Sequence, residues 1–363
     1  MAELKATLTK RDERFLEQSL NGSMWKVILA VGAPLALYQG LNQFFTILDT
    51  MMASHISKES VSAVAYLSQL NLMLSALGGG LVMIAVASLL SQLALFGFAL
   101  KNSLSGDGAF SFSREAVAFD KVTTGPMIRQ SIPVITEKAL FAFGKTVVNA
   151  MSTLYGATMV GAMGVSNNLG GITTNPQNGF QEGAAAVISQ NYGAGKHARV
   201  LRAFYTVLLV NMALGALISG LELWQLDWLA RFFDSGSAAF HREIVLVYRF
   251  EALGAVPLGV NAAVLALLYG LGKTELTLML NFARVFIFRI PVFWFLQHCT
   301  NLGEMSAGVV MLVSNLSSGV LAAIISVIVI RRYRKQYAIM TIGWRNRSRI
   351  RSVSLPNDKF GSE

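Results

Sequence analysis

The sequence predicts an all-α polytopic membrane protein of about eight transmembrane helices. Three observations predict it. Only 14% of the residues are charged and 53% are hydrophobic, whereas soluble domains carry roughly a quarter charged residues. Charge-free runs of bilayer-spanning length, about 18 residues or more, fall at 27–48, 60–100, 146–181, 203–221, 252–272 and 305–330, with near-runs at 132–155 and 276–297. No strand-like alternation of polar and apolar residues appears, which leaves helices as the structure that satisfies its own backbone in lipid.

The crossings are read in order at about 25–49, 60–100, 130–155, 158–190, 200–222, 244–271, 276–297 and 305–330. The first follows a charged segment, 1–24. Its apolar run is too long for a signal-peptide core and lacks a small-residue cleavage site, so it is read as an uncleaved span. The second is long: 41 residues make about 60 Å of helix, twice the hydrocarbon thickness. A hairpin at Gly78-Gly79-Gly80 is one reading and a single protruding helix the other. Charge decides between them. With one crossing, the basic residues of 1–26, 101–129, 196–202, Lys273 and the tail share one side, and the opposite loops hold only Lys58, Arg231 and Arg242. That asymmetry is what the positive-inside rule describes, so both termini are expected in the cytoplasm, with the chain in the inner (plasma) membrane. The remaining crossings are punctuated by Gly156, by the Gly193–Lys196 turn, by the polar stretch 223–243, by Gly272-Lys273 and by 298–304.

Net charge is +10, and nine of the 30 Lys and Arg follow residue 330. A basic cluster just beyond a span meets anionic headgroups, so membrane lipid is the expected partner and nucleic acid is not. The one cysteine, Cys299, excludes an internal disulfide. No Walker loop, HExxH or CxxC is present. Gly193-Ala194-Gly195-Lys196 lacks the spacing of a phosphate loop, and the four His are scattered in loops. No enzyme is indicated, and transport would be driven by an ion gradient with no cofactor beyond the coupling H⁺ or Na⁺.

A shift of 99 residues places Pro34 on Pro133, Leu41 on Leu140, Phe44 on Phe143, Met52 on Met151 and Gly80 on Gly179 without a gap. Both copies begin on the cytoplasmic side, the mark of a parallel repeat. The copies are unequal. The expected organisation is a cytoplasmic segment 1–24, a shortened two-span lobe 25–100, a cytoplasmic inter-lobe loop 101–129, a six-span lobe 130–330 and a basic cytoplasmic tail 331–363. About four spans' worth of chain is missing from the first lobe.

Several segments resemble the multidrug and toxic compound extrusion (MATE) family. Leu48-Asp49-Thr50-Met51-Met52-Ala53-Ser54-His55 with Ala63-Val64-Ala65 is similar to the family's first span and the start of its second. Pro133 with Glu137, Tyr155-Gly156, Gly161-Ala162 and Asn167-Asn168 are similar to the seventh and eighth. Gly179-Phe180 with Ser189-Gln190-Asn191-Tyr192-Gly193-Ala194-Gly195 and Arg199 is the most specific match. Tyr269-Gly270-Leu271-Gly272-Lys273-Thr274 and Arg289-Ile290-Pro291 resemble the tenth-to-eleventh turn and the eleventh span. The resemblance implies two lobes around a central cavity, here with the first lobe cut short.

Ionisable groups within spans are costly and mark function by default. Asp49 lies about 36 Å along the first helix. It reads either as an outer-interface residue or, by the resemblance, as the first-lobe site of the coupling ion. The family's partners for it have no counterpart here, which argues against a many-ligand Na⁺ site. Glu137 reads as a snorkelling carboxylate or, by the resemblance, as a site for protons or cationic substrates. Glu251 is the third coupling candidate. Asn167, Asn168, Asn175, Gln177, Asn178, Gln181 and Glu182 on one crossing exceed what interhelical glue requires and predict a cavity wall. The substrate-cavity candidates are Lys145, Asn149, Asn167, Asn168, Asn178 and Gln181. Pro257–Asn261 lacks the aspartate found in Na⁺-coupled relatives, so the coupling ion stays open.

The expected function is an ion-coupled antiporter exporting small cationic or amphipathic compounds. A transport-deficient membrane remnant or interaction subunit is the alternative. A lipid-linked sugar flippase is disfavoured, because it requires a Lys- and Arg-rich cavity and the central spans hold few such residues.

Overall fold

The computed structural model describes residues 17–54, 121–234 and 236–353, with side chains at 17–48, 50–51, 124–234 and 236–336. The second predicted crossing, 60–100, and most of the inter-lobe loop lie outside the described residues.

The described chain is helical: α1 (Met24–Ser54), α2 (Lys121–Ser152), α3 (Ala157–Gly193), α4 (His197–Trp224), the short α5 (Leu226–Arg231), α6 (Ala238–Leu253), α7 (Ala255–Gly270), α8 (Thr274–Phe282), α9 (Ile290–Cys299) and α10 (Met305–Val353). No strand occurs among these residues. Met24–Leu48, His197–Trp224, Thr274–Cys299 and Met305–Gln336 are each long and apolar enough to cross a membrane, and α6 and α7, taken together as one bent span, are a fifth such segment. The helices α2 and α3 are long enough too, at 32 and 37 residues, and they carry the polar side chains of the interior. The protein is a multi-pass membrane protein. Its lipid-facing surface is apolar: Leu37 is 69% exposed, Leu217 67% and Trp224 77%.

Three boundaries differ from the sequence expectation. The helix α2 starts at Lys121, inside the expected loop, because hydropathy marks where lipid ends rather than where a helix ends. The expected single crossing 244–271 is two helices bent by 47°. Pro257 is the cause: it has no N–H for the Leu253 carbonyl, and its ring displaces that carbonyl. The proline falls in the first turn of α7, where a helix tolerates it. The crossing 276–297 is also broken, by a π-turn over Ala283–Ile287 ahead of Pro291.

Close contact between the halves depends on small residues. Gly179 of α3 lies on the α1 backbone at Leu35 and Ala36, and a Cβ on Gly183 would stand 2.9 Å from the Gly32 Cα. This spacing, glycine every fourth residue, lets helix backbones approach in lipid. Gln177 joins three helices. Its Nε2 donates to the backbone oxygens of Asn211 on α4 (2.9 Å) and Ala255 at the α6–α7 bend (3.2 Å).

The apolar core is divided in two. One cluster gathers Ile28, Val187, Ile188, Val200, Phe204, Leu267, Leu268 and Val329. The other gathers Met159, Met163, Phe233, Phe240, Ile244, Tyr248, Phe293 and Met311. On α3 the clusters are separated by residues 170–179, and on α10 by the buried Ser314, Asn315 and Ser318. A polar layer therefore crosses the bundle at mid-height.

Candidate functional site

That layer encloses a cavity of about 390 Å³. Its wall includes Gln39 of α1, Glu137, Lys138, Phe141 and Lys145 of α2, Asn167, Asn175, Gln177, Asn178, Gln181 and Glu182 of α3, Glu251 of α6, and Asn281, Arg284 and Arg289 of the α8–α9 crossing. Leu258, Ala262 and Leu265 of α7 give it an apolar side.

Glu137 is buried, with 3% exposure. Its Oε1 accepts from the Tyr269 hydroxyl (2.9 Å) and Asn281 Nδ2 (2.7 Å); its Oε2 accepts from Tyr269 (3.0 Å) and Thr277 Oγ1 (2.7 Å). The donors sit on the end of α7 and on α8, so the Tyr269–Thr274 turn holds the carboxylate in place. Glu251 lies just before the α6–α7 bend. Its Oε2 accepts from the Ser166 hydroxyl of α3. Gly170 leaves it room, since a Cβ there would stand 3.1 Å from Oε1.

The basic groups gather on one side. The Lys145 ammonium lies 5.4 Å from the centroid of the Phe141 ring, and the Arg284 guanidinium 5.3 Å from the same centroid. Arg284 and Arg289 both donate to Asn315 Oδ1 at 3.0 Å, and Arg289 also to Ser314 Oγ at 2.9 Å. Residues five apart on a regular α-helix point about 140° away from each other. The π-turn between these two arginines, with Phe288 N bonded to Ala283 O, rotates them to one side.

Of the residues predicted from sequence, Glu137, Glu251, Lys145, Asn167, Asn178 and Gln181 line the cavity. Asn168 and Asn149 do not. Asn168 ties α3 to α1: its Nδ2 donates to Thr50 Oγ1 at 2.7 Å, and its carbonyl accepts from Gln43. Asn149 is 2% exposed within the packing of α2. The Asp49 side chain lies outside the described residues. The expectation that the interior holds few cations is corrected, because Lys138, Lys145, Arg284 and Arg289 all line the cavity, the last three grouped about Phe141 and Asn315. Sequence reading also missed Glu222 of α4, which accepts from Tyr248 (2.5 Å) and from Thr173 (2.7 Å). It stands at the predicted end of a crossing, where a carboxylate raises no signal.

Residues 133–295 match the MatE family model. No curated protein matches the sequence. Among solved structures, the outward-facing conformation of a multidrug resistance MATE family transporter of the MOP superfamily gives a TM-score of 0.65 at 16% identity, over 70% of this chain and 57% of its own. A MATE structure in complex with MaL6 gives 0.67 at 12%, over 91% of each chain. A MOP superfamily transporter from Pyrococcus furiosus Vc1 gives 0.65 at 14%, over 89% of this chain and 81% of its own. The chain thus spans little more than half the length of the first of these. Residues 133–295 are thus similar to the MatE family, and the described helices share the fold of the MATE transporters.

Proposed function

We propose that the chain is an ion-gradient-coupled antiporter that exports small amphipathic compounds, cationic ones among them, with H⁺ or Na⁺ as the coupling ion. The observation that supports the reading is the polar cavity at mid-height, bordered by Gln39 of α1 and the helices of the second half and lined by Glu137 and Glu251. Carboxylates are costly in that setting and are kept where they bind or carry charge. In this reading Glu137 and Glu251 exchange the coupling ion as substrate enters and leaves, and alternating access takes place between the shortened first lobe and the six-span second lobe. The chain sits in the plasma membrane with both termini in the cytoplasm.

The test is dye efflux from proteoliposomes under an imposed proton or sodium gradient. Gradient-driven efflux is expected from the wild-type chain, and Glu137→Gln or Glu251→Gln should reduce it to background while dye binding remains. A correctly inserted chain with no efflux under either gradient would instead support the transport-deficient remnant.

A further inference from the structure

We infer that Lys145, Arg284 and Arg289 form a subsite for the anionic head, a carboxylate, sulfonate or phosphate, of an amphipathic substrate. The inference rests on the transporter reading above and narrows its substrate class.

The first ground is excess positive charge: three cations face one carboxylate, Glu251, whose charge reaches all of them. The ion pairs among the described residues are His241 with Asp227 and with Asp234, and Arg242 with Glu304. None involves Lys145, Arg284 or Arg289, so no described carboxylate lies within 4.0 Å of any of the three. Of the acidic residues on the same wall, Glu137 has both oxygens filled by Tyr269, Thr277 and Asn281. Glu251 is bonded to Ser166. Arg289 is only 3% exposed, and buried charge in a lipid-embedded bundle calls for a partner of opposite sign.

The second ground is unused donors. The Arg284 Nε and the Asn315 Nδ2 are buried without a hydrogen-bond partner among the described residues. Asn315, whose Oδ1 accepts from both arginines, packs its amide nitrogen against Gly254 and serves to hold the two guanidinium groups together. The Lys145 ammonium lines the cavity, and its described contact is the Phe141 ring. An acid group in the cavity would accept from the Lys145 ammonium and the two guanidinium groups that line it as charge-assisted hydrogen bonds.

The third ground is shape. The π-turn turns two guanidinium groups to one side of the crossing, and π-turns concentrate at functional sites. Leu258, Ala262 and Leu265 on α7 then provide apolar wall for the body of the molecule. A charged corner joined to an apolar wall fits a molecule with one anionic end.

The test uses the purified full chain in lipid nanodiscs with no gradient, so its outcome is independent of whether efflux occurs. Two dyes share one aromatic body; one bears a sulfonate and the other a quaternary ammonium. The sulfonate dye is expected to bind more tightly. Lys145→Gln should weaken it roughly tenfold, the scale of one charged hydrogen bond, and leave the ammonium dye unchanged; Lys145→Arg should restore sulfonate binding. An unchanged melting temperature establishes that Lys145→Gln is folded. Equal affinity for the two dyes, or sulfonate binding that ignores Lys145→Gln, overturns the proposal. Displacement of the dye by inorganic sulfate as effectively as by a sulfonate amphiphile also overturns it, because the site would then take a free anion.

Discussion

Glutamates in this bundle are met by hydroxyl groups from neighbouring helices. Tyr269 and Thr277 bond to Glu137, Tyr248 and Thr173 to Glu222, Ser166 to Glu251, and Thr158 to Glu243. A hydroxyl donates to a carboxylate without adding a second buried charge. Glu222 is buried, and its Oε1 has no partner among the described residues. Tyr248→Phe removes one of its two donors and is expected to destabilise the protein by about 1–3 kcal/mol, read as a fall in melting temperature in detergent. Glu137 was legible in the sequence because a charge stood inside an apolar stretch. Its donors were not, because Tyr269, Thr277 and Asn281 are ordinary side chains until folding brings them around one carboxylate.

At the scale of the helix, interruptions and glycines decide the geometry. Apolar runs located the crossings but not their breaks. The bend at Gly254 had a visible sign in Pro257; the π-turn had none, since it is recognised only by the direction in which Arg284 and Arg289 point. The contact of α1 with α3 relies on Gly32, Gly179 and Gly183. Gly179→Leu would drive a side chain into the α1 backbone, and overpacking of this kind costs about 1–3 kcal/mol. The expected outcome is a lower melting temperature and weaker protection of α1 from proteolysis, with Gly193→Leu, where a Cβ meets nothing within 4 Å, as the neutral comparison.

For the molecule as a whole, hydropathy is legible because it is a sum over many residues: four helices among the described residues, or five with the bent α6–α7 pair, are long and apolar enough to cross a membrane. The helices α1 and α2, of 31 and 32 residues, carry the prolines, Pro34 and Pro133, that the expected repeat aligns; the second crossing of the first copy lies outside the described residues. The charge of the cavity was not readable, because its four cations are scattered from residue 138 to 289 and only packing joins them. The proposed orientation puts the α9–α10 turn outside the cell. Cys299 is exposed there, so a membrane-impermeant maleimide should label intact cells and fail to label Cys299→Ser. A cysteine placed at the exposed Arg202 in that background should react only after lysis. Reaction at position 202 in intact cells would reverse the orientation.

The Gln177 amide carries one further implication. A single planar nitrogen serves acceptors on two other helices, and glycines at 215 and 259 leave space for it. A methionine of similar length in its place would keep the volume and lose both hydrogen bonds between helices, leaving each carbonyl only its partner within its own helix. Deuterium uptake on warming should then begin at the seam between α4 and the start of α7, well before the rest of the bundle loosens, and the glutamine would be revealed as the clasp that keeps a broken helix closed.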